Sequence, residues 1–245
     1  ADAATRYRRE AAEIGVVPDE VEAWQKAADA MAVPFDQALG LHAQDQDFLT
    51  HDVWDFAHTD ADQYPLLLHF PYFELYRKQV VKQSDLVLAL HLCGDQFTLE
   101  EKRRAFEHYE ALTVRDSSLS ACTQAVVAAE VGHIELAYDY LAEAALMDLH
   151  DLNSNTADGV HIASLGGAVI AVIAGLGGVR EHDHAVSYRP RLPAGLERVC
   201  FNITSRGARI RVAITHEEAT YEIRDGGPIT IHHHAIRWSW PRATP

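Results

Sequence analysis

The sequence is short of basic residues: 21 lysines and arginines stand against 36 aspartates and glutamates, a formal net charge of −15. A nucleic-acid binder needs a basic face to displace counterions, so that class is set aside. Cysteine is scarce, and Cys93, Cys122 and Cys200 are odd in number and far apart. With no CxxC pair, neither a disulfide framework nor a zinc site is suggested, and reduced thiols in a cytoplasmic protein are expected. No run of about 18 apolar residues offers a membrane span. No start methionine or signal peptide is present, and ADAATRYRREAAEIG has mid-helix character, so the chain reads as a piece of something longer. The motifs of common catalytic classes are missing: there is no GxSxG, HExxH or Ser-His-Asp pattern. GLGG at 175–178 lacks the GK[ST] of a phosphate loop, and HHH at 232–234 alternates across a strand pattern rather than forming a metal site. No metal and no organic cofactor is expected.

What is present is apolar. Hydrophobic types make up 48% of 245 residues, enough for a sizeable core. The first three-quarters carry helical periodicity. PDEVEAWQKAADAMAV opens with proline and acids and repeats Val21, Trp24, Ala28 and Met31. Residues 33–65 hold no sustained period and read as a long connection, functional or ordered by a partner. YFELYRKQVVKQSDLVLALHLCGD reads as one apolar helix ending at Gly94. TLEEKRRAFEHYEAL begins with a capping box, Thr98 with Glu101 three residues on. Two alanine-rich helices flank Gly132, and GVHIASLGGAVIAVIAGLGGV, apolar nearly all round, is expected to be buried. Short links between successive helices imply antiparallel neighbours, as in a bundle or an α/α toroid. Near residue 183 the period changes to two. Arg209, Arg211 and Ala213 alternate with Ile210, Val212 and Ile214, predicting a small antiparallel sheet with one buried face and an irregular tail.

Four clusters carry chemistry. Lys82 and Gln83 interrupt an apolar stretch, where such residues are seldom wholly buried; a snorkelling lysine beside a half-exposed glutamine is the plainer reading. Arg115, Asp116, Ser117 and Ser118 crowd ahead of a helix, whose free N–H groups favour an anion. Simple capping is the competing account. His161 follows the polar entrance NSNTADG into the last helix, where a histidine also serves as a cap or a satisfied core group. Glu110 is a single carboxylate six residues before Asp116, and a glutamate near a helix end is usually solvated.

In order, VVKQSDLVLAL, HYEALTVRDSSLS, NSNTADGVHIASLGGAVIAVIAGLGGV and YRPRLP resemble glycoside hydrolase family 65, and LGLHAQDQDFL fits it too. The resemblance spans about residues 1–235. It implies a mainly α fold with a small β domain: residues 1–182 form the C-terminal part of an (α/α)6 catalytic barrel, and residues 183–245 a small antiparallel β domain with a tail. It further implies that Lys82 and Gln83 contact the transferred glucosyl unit, and that Ser117, Ser118 and His161 bind phosphate. The implied reaction is inverting phosphorolysis of an α-glucosidic disaccharide of maltose, trehalose or kojibiose type, with inorganic phosphate as co-substrate and β-glucose 1-phosphate as product. The family's general-acid glutamate belongs to a Gly-Pro-Asp-Glu-Tyr type motif, which this sequence lacks. The expected partners are therefore the disaccharide, phosphate and the upstream half of the same enzyme, whose absence would leave an apolar edge exposed. A homodimer is implied as well. Two other readings stand beside this one: a trehalase-like hydrolase using water with Glu110 as base, and a carbohydrate-binding fragment with no chemistry.

Overall fold

A computed structural model describes residues 1–114, 116–152, 154–182 and 185–234. Three N-terminal helices, α1 (Asp2–Arg6), α2 (Arg8–Glu13) and α3 (Pro18–Asp29), contain no buried residue. Trp24, Ala28 and Met31, three of the four periodic positions, are exposed. Residues 33–65, expected to lack regular structure, are instead tied down by short pairings and 3-10 turns. β1 (Phe35–Asp36) pairs antiparallel with β2 (Leu41–His42), while β3 (Asp52–Val53) lies ahead of α4 (Leu66–His69). Their anchors are Leu41, Phe48, Trp54 and Leu66, all buried, so this segment is held by its own aromatic and aliphatic side chains.

The single helix expected over residues 72–93 is broken in two. α5 (Tyr72–Leu75) gives way to β4 (Lys78–Gln79), which pairs parallel with β3, and helix resumes only at α6 (Asp85–Leu92). The buried Gln79 side chain donates to the His51 carbonyl at 2.6 Å. Next, Val81 exchanges backbone bonds with Leu112 and Val114 at 2.8 and 2.9 Å. Two β-branched residues and a tethered amide draw this backbone into extended pairing, against which helix propensity is a weak force.

From α6 onward the chain builds two helical layers. α7 (Leu99–Glu110) starts at the expected capping box: Thr98 N–H donates to Glu101 Oε2 at 2.7 Å and Glu101 N–H to Thr98 Oγ1 at 3.2 Å. α8 (Ser120–Val131) ends at Gly132, whose φ of +109° reverses the chain into α9 (Ile134–Leu146). α10 (Ile162–Ile170) continues through a π-turn over Ala171–Leu176. α8 packs against α6, α7, α9 and α10. Ser120 Oγ donates to the Lys82 carbonyl at 3.2 Å, so α6 and α8 begin side by side. Gly167 of α10 faces Cys122, and Gly175 farther on faces Ala125 and Val126, so α10 runs in the same sense as α8. α6, α8 and α10 therefore form one layer of parallel helices, and the short links make α7 and α9 the returning layer behind it.

The last helix is not buried all round. Gly167 and Ser164 are buried, but Ile162, Val169 and Ile170 are each more than half exposed and Leu165 adds to them, while Leu88 and Leu92 of α6 are exposed as well. Small residues face α8 while the large ones find no cover.

Among the described residues, the β unit holds two three-stranded sheets. β5 (Arg180–His182) pairs antiparallel with β6 (Ala185–Tyr188). β7 (Arg198–Ser205), β8 (Ala208–Thr215) and β9 (Ala219–Asp225) form an antiparallel meander. β8 alternates as expected, Ile210, Val212 and Ile214 inward and Arg209 and Arg211 outward. One pairing departs from the antiparallel expectation: β10 (Ile231–His233) returns beside β6 in parallel, Ile231 opposite Val186. A long chain segment carries it back to that edge, and that path sets its direction. The tail at 235–245 and Arg115 lie outside the described residues.

Candidate functional site

The breaks and entrances of the parallel layer gather the polar side chains. Because β4 ends the extended stretch just before α6, Lys82 and Gln83 occupy a bend rather than a helix, and successive side chains point apart. Gln83 turns toward the start of α8, where Ser117 Oγ donates to Gln83 Oε1 at 3.1 Å. Gln83 Nε2 donates in turn to Asp85 Oδ1 at 2.8 Å. Lys82 faces the other way and makes no ion pair among the described residues. Behind the bend, the buried hydroxyls of Ser84 and Thr113 lie 3.1 Å apart, and Thr113 donates to the Tyr109 carbonyl at 2.6 Å. The two candidate clusters are thus one cluster, fixed from behind by a buried polar relay.

Capping does not account for the serines. α8 takes Leu119 as its N-cap with no side-chain cap, although Leu119 N–H donates to Ser117 Oγ at 3.3 Å. Ser118 is half-buried, and its hydroxyl has no hydrogen-bond partner among the described residues. Asp116 is spent elsewhere: its Oδ2 accepts from Leu66 N–H at 2.7 Å, and burial raises its carboxyl above the ordinary range.

His161 stands at the entrance of α10, about 9 Å before Gly167 along the helix, and since Gly167 faces Cys122 about 3 Å into α8, His161 projects about 6 Å beyond the start of α8 at the same end. No hydrogen bond among the described residues joins it to Ser117 or Gln83. Asp148 grips it twice: His161 N–H donates to Oδ2 at 2.9 Å, and Nδ1 lies 2.6 Å from Oδ1. The hydrogen bond from His161 holds the Asp148 carboxyl below its ordinary range. With Nδ1 committed, Nε2 is the ring nitrogen left to meet a ligand. Sequence reasoning missed Asp148. A signal existed, since it follows α9 directly and a helix C-terminus disfavours an acid.

Glu110 enters from the other layer. It closes α7 in the returning layer, and Tyr140 of α9 donates to its Oε1 at 2.5 Å. A second polar group of residues lies at the far ends of the parallel helices. Glu130 takes Lys102 on one carboxylate oxygen at 2.6 Å and Arg180 on the other at 2.8 Å. Among the described residues, no cluster of three or more histidine, cysteine, aspartate or glutamate side chains could hold a metal ion.

A helical arc presents the polar entrances of its parallel layer at one end and hands over to a small β unit, the scaffold of a helical domain with a β appendage. The chain belongs to glycosyl hydrolase family 65: the model of its central catalytic domain matches residues 1–170 and that of its C-terminal domain residues 179–237. A Mycobacterium leprae protein named as an uncharacterized glycosyl hydrolase is 49% identical over 95% of this chain and 29% of its own length. The α,α-trehalose phosphorylase of Thermoanaerobacter brockii is 36% identical over 93% of this chain and 30% of its own length. A solved structure of a candidate kojibiose phosphorylase from human microbiome superimposes with a TM-score of 0.81 at 21% identity, over 93% of this chain and 30% of that one, and shows the fold alone. The chain thus spans 28–30% of the length of the first curated relatives it matches.

Proposed function

We propose that this chain supplies the glucosyl and phosphate contacts of an inverting disaccharide phosphorylase, acting within a longer polypeptide. The observation that carries the reading is the sharing of one end by three helix entrances, bearing Lys82 and Gln83, Ser117 and Ser118, and His161. Three parallel N-termini place free N–H groups and positive dipole ends where an oxyanion must sit. Ser118 and His161 Nε2 add hydrogen-bonding groups there, while Lys82 and Gln83 hold the glucosyl ring. A phosphate oxygen attacks the anomeric carbon as the glycosidic carbon–oxygen bond breaks on the opposite face. The leaving oxygen takes a proton from a general acid on the upstream polypeptide, giving β-glucose 1-phosphate and a free sugar.

The same upstream polypeptide is the proposed cover for the apolar edge of α6 and α10, closing the helical arc into an (α/α)6 barrel. Exposed large apolar side chains in such number mark an interface. The relatives named as phosphorylases support the chemistry, and those named as glycosyl hydrolases keep water as the competing nucleophile, with Glu110 as its base. The test supplies the complete reading frame with maltose, kojibiose, nigerose and trehalose, with and without inorganic phosphate. Glucose 1-phosphate formed only with phosphate is the expected result. Glucose released at the same rate without phosphate would replace this reading with hydrolysis.

A further inference from the structure

At the far pole, where α7 and the end of α8 meet the β unit, lies a cavity of about 160 Å³. Lys102, Glu130, Arg180, Ser187, Arg189 and His234 are among the residues that line it. Its charge runs against that of the chain. Acids outnumber bases 36 to 21 overall, yet three cations here face only Glu130 and the exposed Asp95. The Glu130 carboxylate is shared between Lys102 and Arg180, and Asp95 accepts from Gln96 Nε2 at 2.8 Å. Arg189 makes neither an ion pair nor a side-chain hydrogen bond among the described residues.

Capping of helix C-termini accounts for some of these cations and not the rest. Arg180 Nη1 donates to the Ala174 and Val179 carbonyls at 2.6 and 2.9 Å, and the neighbouring Arg191 Nη1 to the Ala129 carbonyl at 2.7 Å. Those bonds leave Nε of both arginines buried without an acceptor among the described residues. Lys102 is only 4% exposed, and its ammonium, with three protons to donate, has Glu130 as its one acceptor there. Like charge is also crowded: burial lowers the Arg191 guanidinium from its ordinary value, and Arg189 pushes the same way. Cations without enough acceptors in a half-dry cavity cost free energy, and an anion placed among them removes that cost.

We infer that this cavity binds a small tetrahedral oxyanion, either inorganic phosphate or the phosphoryl group of a small ester, at the pole remote from the catalytic residues. Lys102 and Arg189 supply the charge. The His234 ring and the Ser187 hydroxyl, whose bond to the Arg180 carbonyl is a long 3.5 Å, supply further hydrogen bonds. Donors arriving from α7, from β6 and from the residues after β6 and β10 suit four oxygens better than a flat carboxylate. Held by Lys102 on the helical side and Arg189 on the other, the anion fastens the helical layers to the β unit. Its role is cohesion rather than turnover, so it does not rest on the phosphorylase reading.

The experiment uses the complete enzyme carrying Ser118→Ala and His161→Ala, which weaken any phosphate site at the catalytic pole. Equilibrium dialysis against labelled inorganic phosphate is expected to find a single site per chain that chloride at equal ionic strength does not empty. Adding Arg189→Gln is expected to weaken this site at least about tenfold and to abolish the rise in Tm that phosphate produces. Since the Arg189 side chain holds no other described group, the Tm without phosphate should stay at the parent's value. In the otherwise unaltered enzyme, Arg189→Gln should leave kcat and each KM within about twofold of the parent. Glycerol 3-phosphate displacing the label at lower concentration than unlabelled phosphate assigns the site to an ester, and the reverse order to free phosphate. A site that is missing, that chloride empties, or that ignores Arg189→Gln would overturn the inference. Turnover by hydrolysis instead of phosphorolysis would leave it standing.

Discussion

At the scale of single residues, Asp148 and Glu130 show how the same side-chain class serves different ends. Asp148 fixes one ring nitrogen of His161 and so decides which ring nitrogen is left for another partner. In the complete enzyme, His161→Ala and Ser118→Ala are expected to raise the KM for phosphate about tenfold or more and that for sugar far less. Steady-state kinetics varied in each substrate checks this, and equal effects on both constants would remove the phosphate assignment. Glu130 instead balances two cations in a half-dry junction. Burial pushes its carboxyl up, but Arg180 and Lys102 together outweigh this and leave it below the ordinary range. A depressed carboxyl stabilises the fold above its unfolded pKa, near 4.3, and that contribution disappears as pH falls through the lower folded value. Glu130→Gln strands Lys102 and Arg180 and is expected to cost about 3 kcal/mol at neutral pH. The deficit should shrink in denaturant titrations repeated toward pH 3.

At the scale of elements, legibility followed the range of the interactions. The Thr98–Glu101 box spans three residues, and the alternation of β8 is a property of one strand, so both were readable directly. The break between α5 and α6 was not. It depends on Gln79 reaching His51 and on Val81 pairing beside Thr113, partners 28 and more residues away. The Gln83–Ser117 bond spans 34 residues, and only its two halves were visible as polar clusters. Close packing of α10 on α8 depends on Gly167, where an added Cβ would come within 2.5 Å of the Cys122 Cβ. Gly167→Ala is expected to cost about 1–3 kcal/mol despite its better helix propensity, measured as a fall in Tm. A neutral or raised Tm would mean that the two helices separate freely.

At the scale of the whole molecule, the apolar face of α6 and α10 was foreseen only through the resemblance, because periodicity alone argued for a helix buried all round. The 245-residue chain by itself should bind a hydrophobic dye and self-associate despite its net charge of −15. Co-expression with the upstream polypeptide is expected to abolish both. Light scattering and dye fluorescence decide this, and a monomeric, dye-silent chain would show that the face needs no cover.

The parallel run of α6, α8 and α10 has a consequence for how the molecule tolerates change. It sends every polar entrance to one pole and the Lys102–Glu130–Arg180 junction to the other, so the proposed binding residues and the ion-pair junction occupy opposite ends of one scaffold. Substitutions at the first pole can retune affinity without loosening the fold, and those at the second can harden the fold without touching affinity. Under the proposed function, such a division would let the binding end vary with substrate while the anchoring end keeps the helices together.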